Sequence, residues 1–161
     1  MVKINVDGAC KGNPGVGGGG GGIVRDKEGV VIAAFSKFYG DYTNTIAELR
    51  ALNDGLKLCA KLEATGIVVN SDSKVTIQSI AKGRCGSWKG WYWFQETMEL
   101  ARVLKPMIYF TFREGNRAAD GLAKLSCDSA VDTEFQGGPE LPPDLRRIKR
   151  EDACGLPVLR K

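Results

Sequence analysis

The feature that most restricts the fold is a change of hydrophobic period near Asn44. Lys3 to Ala9 alternates apolar and polar residues, with Ile4 and Val6 on one side and Asn5 and Asp7 on the other, the pattern of a half-buried strand. A glycine-rich stretch, GNPGVGGGGGG, follows; Ile23 to Arg25 and Val30 to Phe35 then read as two strands around a turn at Asp26–Gly29. From Asn44 to Leu62 the period is helical: at about 100° per residue, Thr45, Leu49, Leu52, Leu56 and Cys59 fall on one stripe. Ile67 to Val69 is a short buried strand, and Ser71-Asp72-Ser73 can cap a helix through Val75, Ile77 and Ile80. Trp91 to Leu104 forms a further helix stopped by Pro106, Met107 to Phe112 a strand, and Asn116 caps a last helix through Leu122 and Leu125. The order βββαβααβα predicts a mixed α/β fold, an antiparallel meander joined to a parallel section.

The 161 residues suffice for one domain with a core and are too few for two. After Cys127 the periodicity stops. Residues 128–161, with Gly137, Gly138, Pro139, Pro142, Pro143 and the run RRIKRED, read as an extended C-terminal tail with a short helix near Leu145–Glu151. The domain proper is therefore expected at 1–127. Gly17 to Gly22 is an uninterrupted glycine run where a strand should begin. At about 0.5–1 kcal/mol per interior glycine relative to alanine, a loose sheet edge is expected there.

Composition excludes several chemistries. The chain has no histidine, which removes the commonest general base and with it Ser-His-Asp and Cys-His mechanisms. Hydrolysis would have to run on carboxylates, lysine or metal ions. The cysteines at 10, 59, 85, 127 and 154 form no CxxC pair, which suits reduced thiols and an intracellular, reducing compartment: cytoplasm, nucleus or an organelle. No stretch approaches the roughly 18 apolar residues that span a bilayer, so no membrane partner is expected. The opening MVKINVDGA carries no long apolar run, so no secretory signal is expected either. Net charge is +4, and residues 1–127 hold 17 basic against 12 acidic residues. A basic surface around a small acidic pocket suits a polyanion, although charge alone fits a merely soluble basic protein equally well.

Four acids, Asp7, Glu48, Asp72 and Asp120, stand at the ends or edges of these elements. Singly each has a plain explanation: Asp7-Gly8 as a hairpin turn, Glu48 as a solvated helix residue, Asp72 as an N-cap, Asp120 as a group favoured at a helix N-terminus. Together they are harder to dismiss. If the first and fourth strands pair in parallel, Asp7 and Asp72 project at one end of the sheet, where ligands of α/β proteins commonly bind. Carboxylates gathered there would repel one another, and divalent cations are the natural counter-charge.

The stretch DGACKGNPGVGG closely resembles the first-strand motif of type 1 ribonucleases H. TNTIAELRAL is similar to the helix bearing that family's catalytic glutamate, SDSKVTIQSI to its strand-to-helix motif, and FREGNRAADGLAKL to its closing motif. The four matches occur in family order over residues 1–127, and their wording is most similar to the plant, retroelement-related branch. The resemblance implies a ribonuclease H-like fold, a five-stranded mixed sheet with helices on both faces. It implies Asp7, Glu48, Asp72 and Asp120 as catalytic carboxylates holding two Mg²⁺ ions, with Mn²⁺ able to substitute. It implies hydrolysis of the RNA strand of RNA–DNA hybrids with weak sequence preference, one metal activating water and the other stabilising the leaving oxygen. The same resemblance places Gly8, Lys11, Gly12 and Asn13 where the backbone approaches RNA, and Asn44 and Gln78 at the hybrid minor groove. Trp88 and Lys89, an aromatic beside a base, suit the DNA strand, while Trp91 or Trp93 could equally pack a helix against the core. A monomer is the default expectation.

The family's bacterial members carry a loop histidine before the last aspartate; this chain has none, which implies altered rate or metal handling. Gly15 to Gly20 also spells GxGxxG, but a dinucleotide site needs a helix directly after it, and Ile23 onward reads as strand. The rival reading is a catalytically silent ribonuclease H-like module that grips nucleic acid or tethers a partner through its tail.

Overall fold

The computed structural model describes residues 1–11, 17–40, 43–86 and 88–145. Strands β1 (Val2–Lys11), β2 (Gly17–Asp26) and β3 (Val31–Gly40) form the antiparallel meander, followed by α1 (Asn44–Lys61) and β4 (Ile67–Ser71). Then come α2 (Lys74–Lys82), α3 (Trp91–Leu104), β5 (Met107–Phe110), α4 (Arg117–Ser129) and a short β6 (Thr133–Phe135). The expected element order is present, with one strand added at its end. The sheet order is β5-β4-β1-β2-β3-β6, parallel between β1, β4 and β5 and antiparallel elsewhere. The sheet is therefore six-stranded, not five-stranded, because Thr133–Phe135 pairs with β3 through Ala34, Phe35 and Ser36.

Helices cover both faces. On one, Ile4, Val6, Phe35 and Val69 of the sheet pack against Leu52, Leu56 and Cys59 of α1, with Leu100 and Leu104 of α3 behind. Each such side chain, fully withdrawn from water, contributes about 1.5–3 kcal/mol. On the other face, Ile23, Val31 and Ala34 meet Ala118 and Leu122 of α4 together with Phe135, Leu141 and Leu145. The chain after Cys127 thus continues α4 to Ser129 and packs on the domain as far as Leu145, which is 7% exposed. The short helix expected near Leu145–Glu151 lies, apart from Leu145, outside the described residues. So do Gly12, Asn13 and the side chains of Lys11 and Trp88.

Two expectations about β1 and β2 are corrected. The polar side of β1 is not solvated: Asn5 is 5% and Asp7 3% exposed, because α4 and the 3-10 turn before it (Arg113–Asn116) cover that face. The glycine run is not a loose edge either. It lies in β2 between β1 and β3, and all six glycines are buried. The missing side chains leave room for neighbours: a Cβ at Gly21 would lie 2.7 Å from the Ala119 carbonyl oxygen of α4, and one at Gly22 would overlap the Phe35 ring. The turn expected at Asp26–Gly29 is present, Asp26 Oδ1 accepting from the Glu28 and Val30 amides at 2.9 and 3.0 Å. Among the described residues no helix is long and apolar enough to cross a membrane.

Candidate active site

Parallel register sets the site. β1 pairs with β4 from Val2↔Ile67 to Val6↔Ser71, so Asp7, still within β1, and Asp72, just past the end of β4, come side by side. Ser73 takes the N-cap of α2, its hydroxyl accepting from the Thr76 amide at 3.2 Å, which leaves the Asp72 carboxylate for other work. Gly8 lets α1 cross closely over β1: a Cβ there would overlap the Ala47 carbonyl carbon and the Glu48 nitrogen. That approach brings Glu48 over Asp7. Oxygens of Asp7, Glu48 and Asp72 all lie within 4.8 Å of one another. Asp120, in the first turn of α4, lines the same cleft and pairs with Lys124 Nζ at 3.0 Å. The four acids line a cleft of about 580 Å³ with Arg113 and Lys74 on its rim.

Burial pushes the Asp7 carboxyl far above the usual carboxylate range, and the facing charges of Glu48 and Asp72 push it the same way. Burial also raises Glu48, opposed by its bond to Asp7. Glu48 Oε2 is buried with no hydrogen-bond partner among the described residues. An acceptor-only atom in that state is costly unless a cation meets it. Hard oxygen donors converging on an orphaned carboxylate oxygen fit a divalent metal such as Mg²⁺. A consequence is measurable. With raised folded-state values, the folded chain holds more protons than the unfolded one, so these groups cost stability as pH rises above about 4, where unfolded carboxylates ionise. Unfolding midpoints in EDTA and in Mg²⁺ are expected to diverge increasingly from pH 4 through neutrality, the metal-bound protein being the more stable. Coincident curves would contradict the metal-site reading.

A family model described as reverse transcriptase-like matches residues 5–126. The chain belongs to that family. Its ribonuclease H-like character is borne out by solved structures: the N-terminal RNase H domain of rv2228c from Mycobacterium tuberculosis is 32% identical, with a TM-score of 0.73 over 80% of this chain and 94% of that one. An RNase H1 in complex with an RNA/DNA hybrid is 25% identical, with a TM-score of 0.73 over 81% of this chain and 99% of that one. A putative ribonuclease H protein of Arabidopsis thaliana is 29% identical over 160 residues, 96% of this chain. The chain spans 24% of the length of that plant relative and 36% of the full-length mycobacterial proteins it matches.

Within the ribonuclease H-like domain, the remaining sequence-derived residues disperse. Asn44, exposed at the first position of α1, lines the cleft together with Gly8. Gln78 is exposed on α2 but outside the cleft, and Lys89 is exposed in the 3-10 turn Trp88–Gly90, also outside it. That turn borders a second groove of about 500 Å³ between α1 and α2, lined by Thr43, Thr45, Ser79 and Gly90 and joined to the cleft through Thr45 and Val75. Of the tryptophans whose packing stood open, Trp93 stacks on the Arg50 guanidinium at 4.4 Å, whereas Trp91 is 48% exposed beside buried Phe94. Three cleft cations were not singled out from the sequence. Arg113 Nε stands 3.9 Å from Asp72 Oδ2, Lys74 Nζ lies 5.0 Å from the Phe110 ring centroid, and Lys124 pairs with Asp120. For two of them a signal was present: Lys74 follows Asp72 by two residues, and Lys124 follows Asp120 by one helical turn.

Proposed function

We propose that the domain hydrolyses the RNA strand of RNA–DNA hybrids, with two Mg²⁺ ions, or Mn²⁺ in their place, held by Asp7, Glu48, Asp72 and Asp120. The observation that carries this reading is the convergence of Asp7, Glu48 and Asp72 oxygens within 4.8 Å at the open end of the sheet. A hybrid-bound RNase H1 with the same fold supports the choice of substrate. Bound divalent ions would supply an activated water and neutralise charge on the phosphate and its leaving oxygen. The protein's share is placement. Asp7 and Glu48 are fixed by the close crossing of α1 and β1, and Asp72 joins them from the end of β4, where it would meet the scissile phosphate. Arg113 and Lys74 on the rim offer donors to phosphate oxygens on either side of it. Asn44 presents an amide that can donate to and accept from a ribose 2′-hydroxyl, the group that separates RNA from DNA. The groove beyond Thr45, where the hydroxyls of Thr43 and Ser79 stand among the apolar Ile46, Leu49 and Phe94 and Gly90 borders it, offers a path for the DNA strand. Cleavage is expected to leave a 5′-phosphate and a 3′-hydroxyl.

The test is a substrate panel in Mg²⁺: a hybrid, double-stranded RNA and double-stranded DNA of one sequence. Cutting confined to the hybrid's RNA strand supports the reading; equal cutting of double-stranded RNA contradicts it. Arg113→Ala is expected to weaken hybrid binding several-fold at every sequence and to lower the salt slope of binding by about 1. An unchanged slope would take Arg113 off the phosphate path.

A further inference from the structure

Beside the carboxylates runs a second, uncharged connection between the same two elements. Asn5 and Asp7 share one face of β1, two residues apart, and Asn116 and Asp120 share one face of the turn that opens α4, four apart. Asn5 Nδ2 donates to Asn116 Oδ1 at 3.0 Å, and Asn116 Nδ2 donates to the Val6 carbonyl at 2.8 Å. Arg25 Nη1, from β2, donates to Asn5 Oδ1 at 3.4 Å and so fixes which way that amide points. Asn5, Asn116 and Arg25 are 5%, 1% and 7% exposed. Asn116 occupies the N-cap position of α4 yet makes no side-chain cap bond, contrary to its expected role. Its amide is committed to β1 instead, forgoing the roughly 1 kcal/mol that a capping side chain gives.

We propose that Asn5 and Arg25, acting through Asn116, are positioning residues that set the separation of Asp7 and Asp120 and so preform the metal site. This rests on the metal-dependent reading of the cleft. The amide rung lies two residues along the strand from Asp7 and spans the gap between β1 and α4, the helix that carries Asp120. A metal held between Asp7 and Asp120 must find them already spaced. The rung supplies that spacing before the metal arrives, with neutral amides that do not repel. Groups that orient metal ligands from behind typically govern affinity or activity by about 10–100-fold.

The experiment is Mn²⁺ binding to the full chain, followed by titration calorimetry without nucleic acid, for the parent, Asn5→Leu and Arg25→Met. Each variant's thermal unfolding is recorded alongside. Asn5→Leu keeps a side chain of similar size but removes the donor to Asn116; Arg25→Met keeps both amides and loosens their anchor. The expected result is cooperative unfolding in both variants, Mn²⁺ affinity lowered by about 10–100-fold in Asn5→Leu and less in Arg25→Met. The Mn²⁺ needed for half-maximal hybrid cutting should rise in step, with KM for the hybrid unchanged. Should Asn5→Leu not fold, Arg25→Met alone decides. Parent-like Mn²⁺ affinity in the folded variants would overturn the rung while leaving the nuclease reading intact. A parent chain that binds no Mn²⁺ would overturn both.

Discussion

Asp72→Asn is expected to abolish cutting of the hybrid while leaving folding and hybrid binding in place. Asp72 has its side chain 10% exposed and its Oδ2 3.9 Å from Nε of the largely exposed Arg113. The fold does not lean on its charge: Ser73 caps α2, and the Ser71 hydroxyl accepts from the Ser73 amide at 3.1 Å. Asparagine is nearly isosteric but neutral, and its amide nitrogen cannot ligate a hard cation. The loss should reach on the order of 10²–10³-fold or more in single-turnover rate, the scale set by removing one preorganised electrostatic group. Removing an acid beside bound phosphate should leave hybrid affinity unchanged or raise it. Equal loss of folding, binding and cutting would show that Asp72 holds the fold together and would make the site assignment wrong.

Gly21→Ala is expected to be among the most destabilising single-methyl additions in the chain. Gly21 pairs with Asp7 across β1 and β2, and its missing side chain is where α4 rests. A Cβ would lie 2.7 Å from the Ala119 carbonyl oxygen, with the Ala123 nitrogen and Leu122 Cβ at similar range. Two of these are backbone atoms of one helix, so relief requires moving α4 bodily, with Asp120 on it. Overpacking of this kind costs about 1–3 kcal/mol and more where backbone must shift. Gly86→Ala, whose Cβ would meet nothing within 4 Å, serves as the control and should stay within about 0.5 kcal/mol. Urea unfolding midpoints of the two variants measure the difference. A Gly21→Ala midpoint equal to that of Gly86→Ala would mean that α4 sits on the sheet more loosely than these contacts require.

These two positions also mark what the sequence discloses. Element order was legible because each strand and helix carries its own period, and the four acids were legible because each sits in a motif that resembles the ribonuclease H family. A parallel section followed from that order; that β1 pairs with β4 in it, which sets Asp7 beside Asp72, was a condition that the register meets. What could not be read depends on which faces meet. Alternation in β1 marks one apolar side but cannot tell that Asn5 and Asp7 are also covered, since α4 arrives from residues more than a hundred positions away. The glycine run looked like weakness because propensity counts only the residue itself, and the α4 backbone and the Phe35 ring that fill its space are distant in sequence. Phe135, Leu141 and Leu145 are single apolar residues among glycines and prolines, without a period to announce that they pack on the domain. Gln78 was placed by motif, whereas the rotation of α2 that leaves it outside the cleft is set by packing against its neighbours. Asn116 was taken for a cap because of its position, and only the structure shows its amide spent on β1.

This carboxylate cleft is expected to cut RNA paired with DNA by metal-dependent hydrolysis. The most direct measurement follows one hybrid, end-labelled separately on each strand, incubated with the protein in Mg²⁺ and, in parallel, in EDTA. Shortening of the RNA strand alone, in Mg²⁺ and not in EDTA, is the predicted result. Tight binding of the hybrid with both strands left whole in Mg²⁺ and in Mn²⁺ would contradict it and leave a domain that grips hybrids without cutting them.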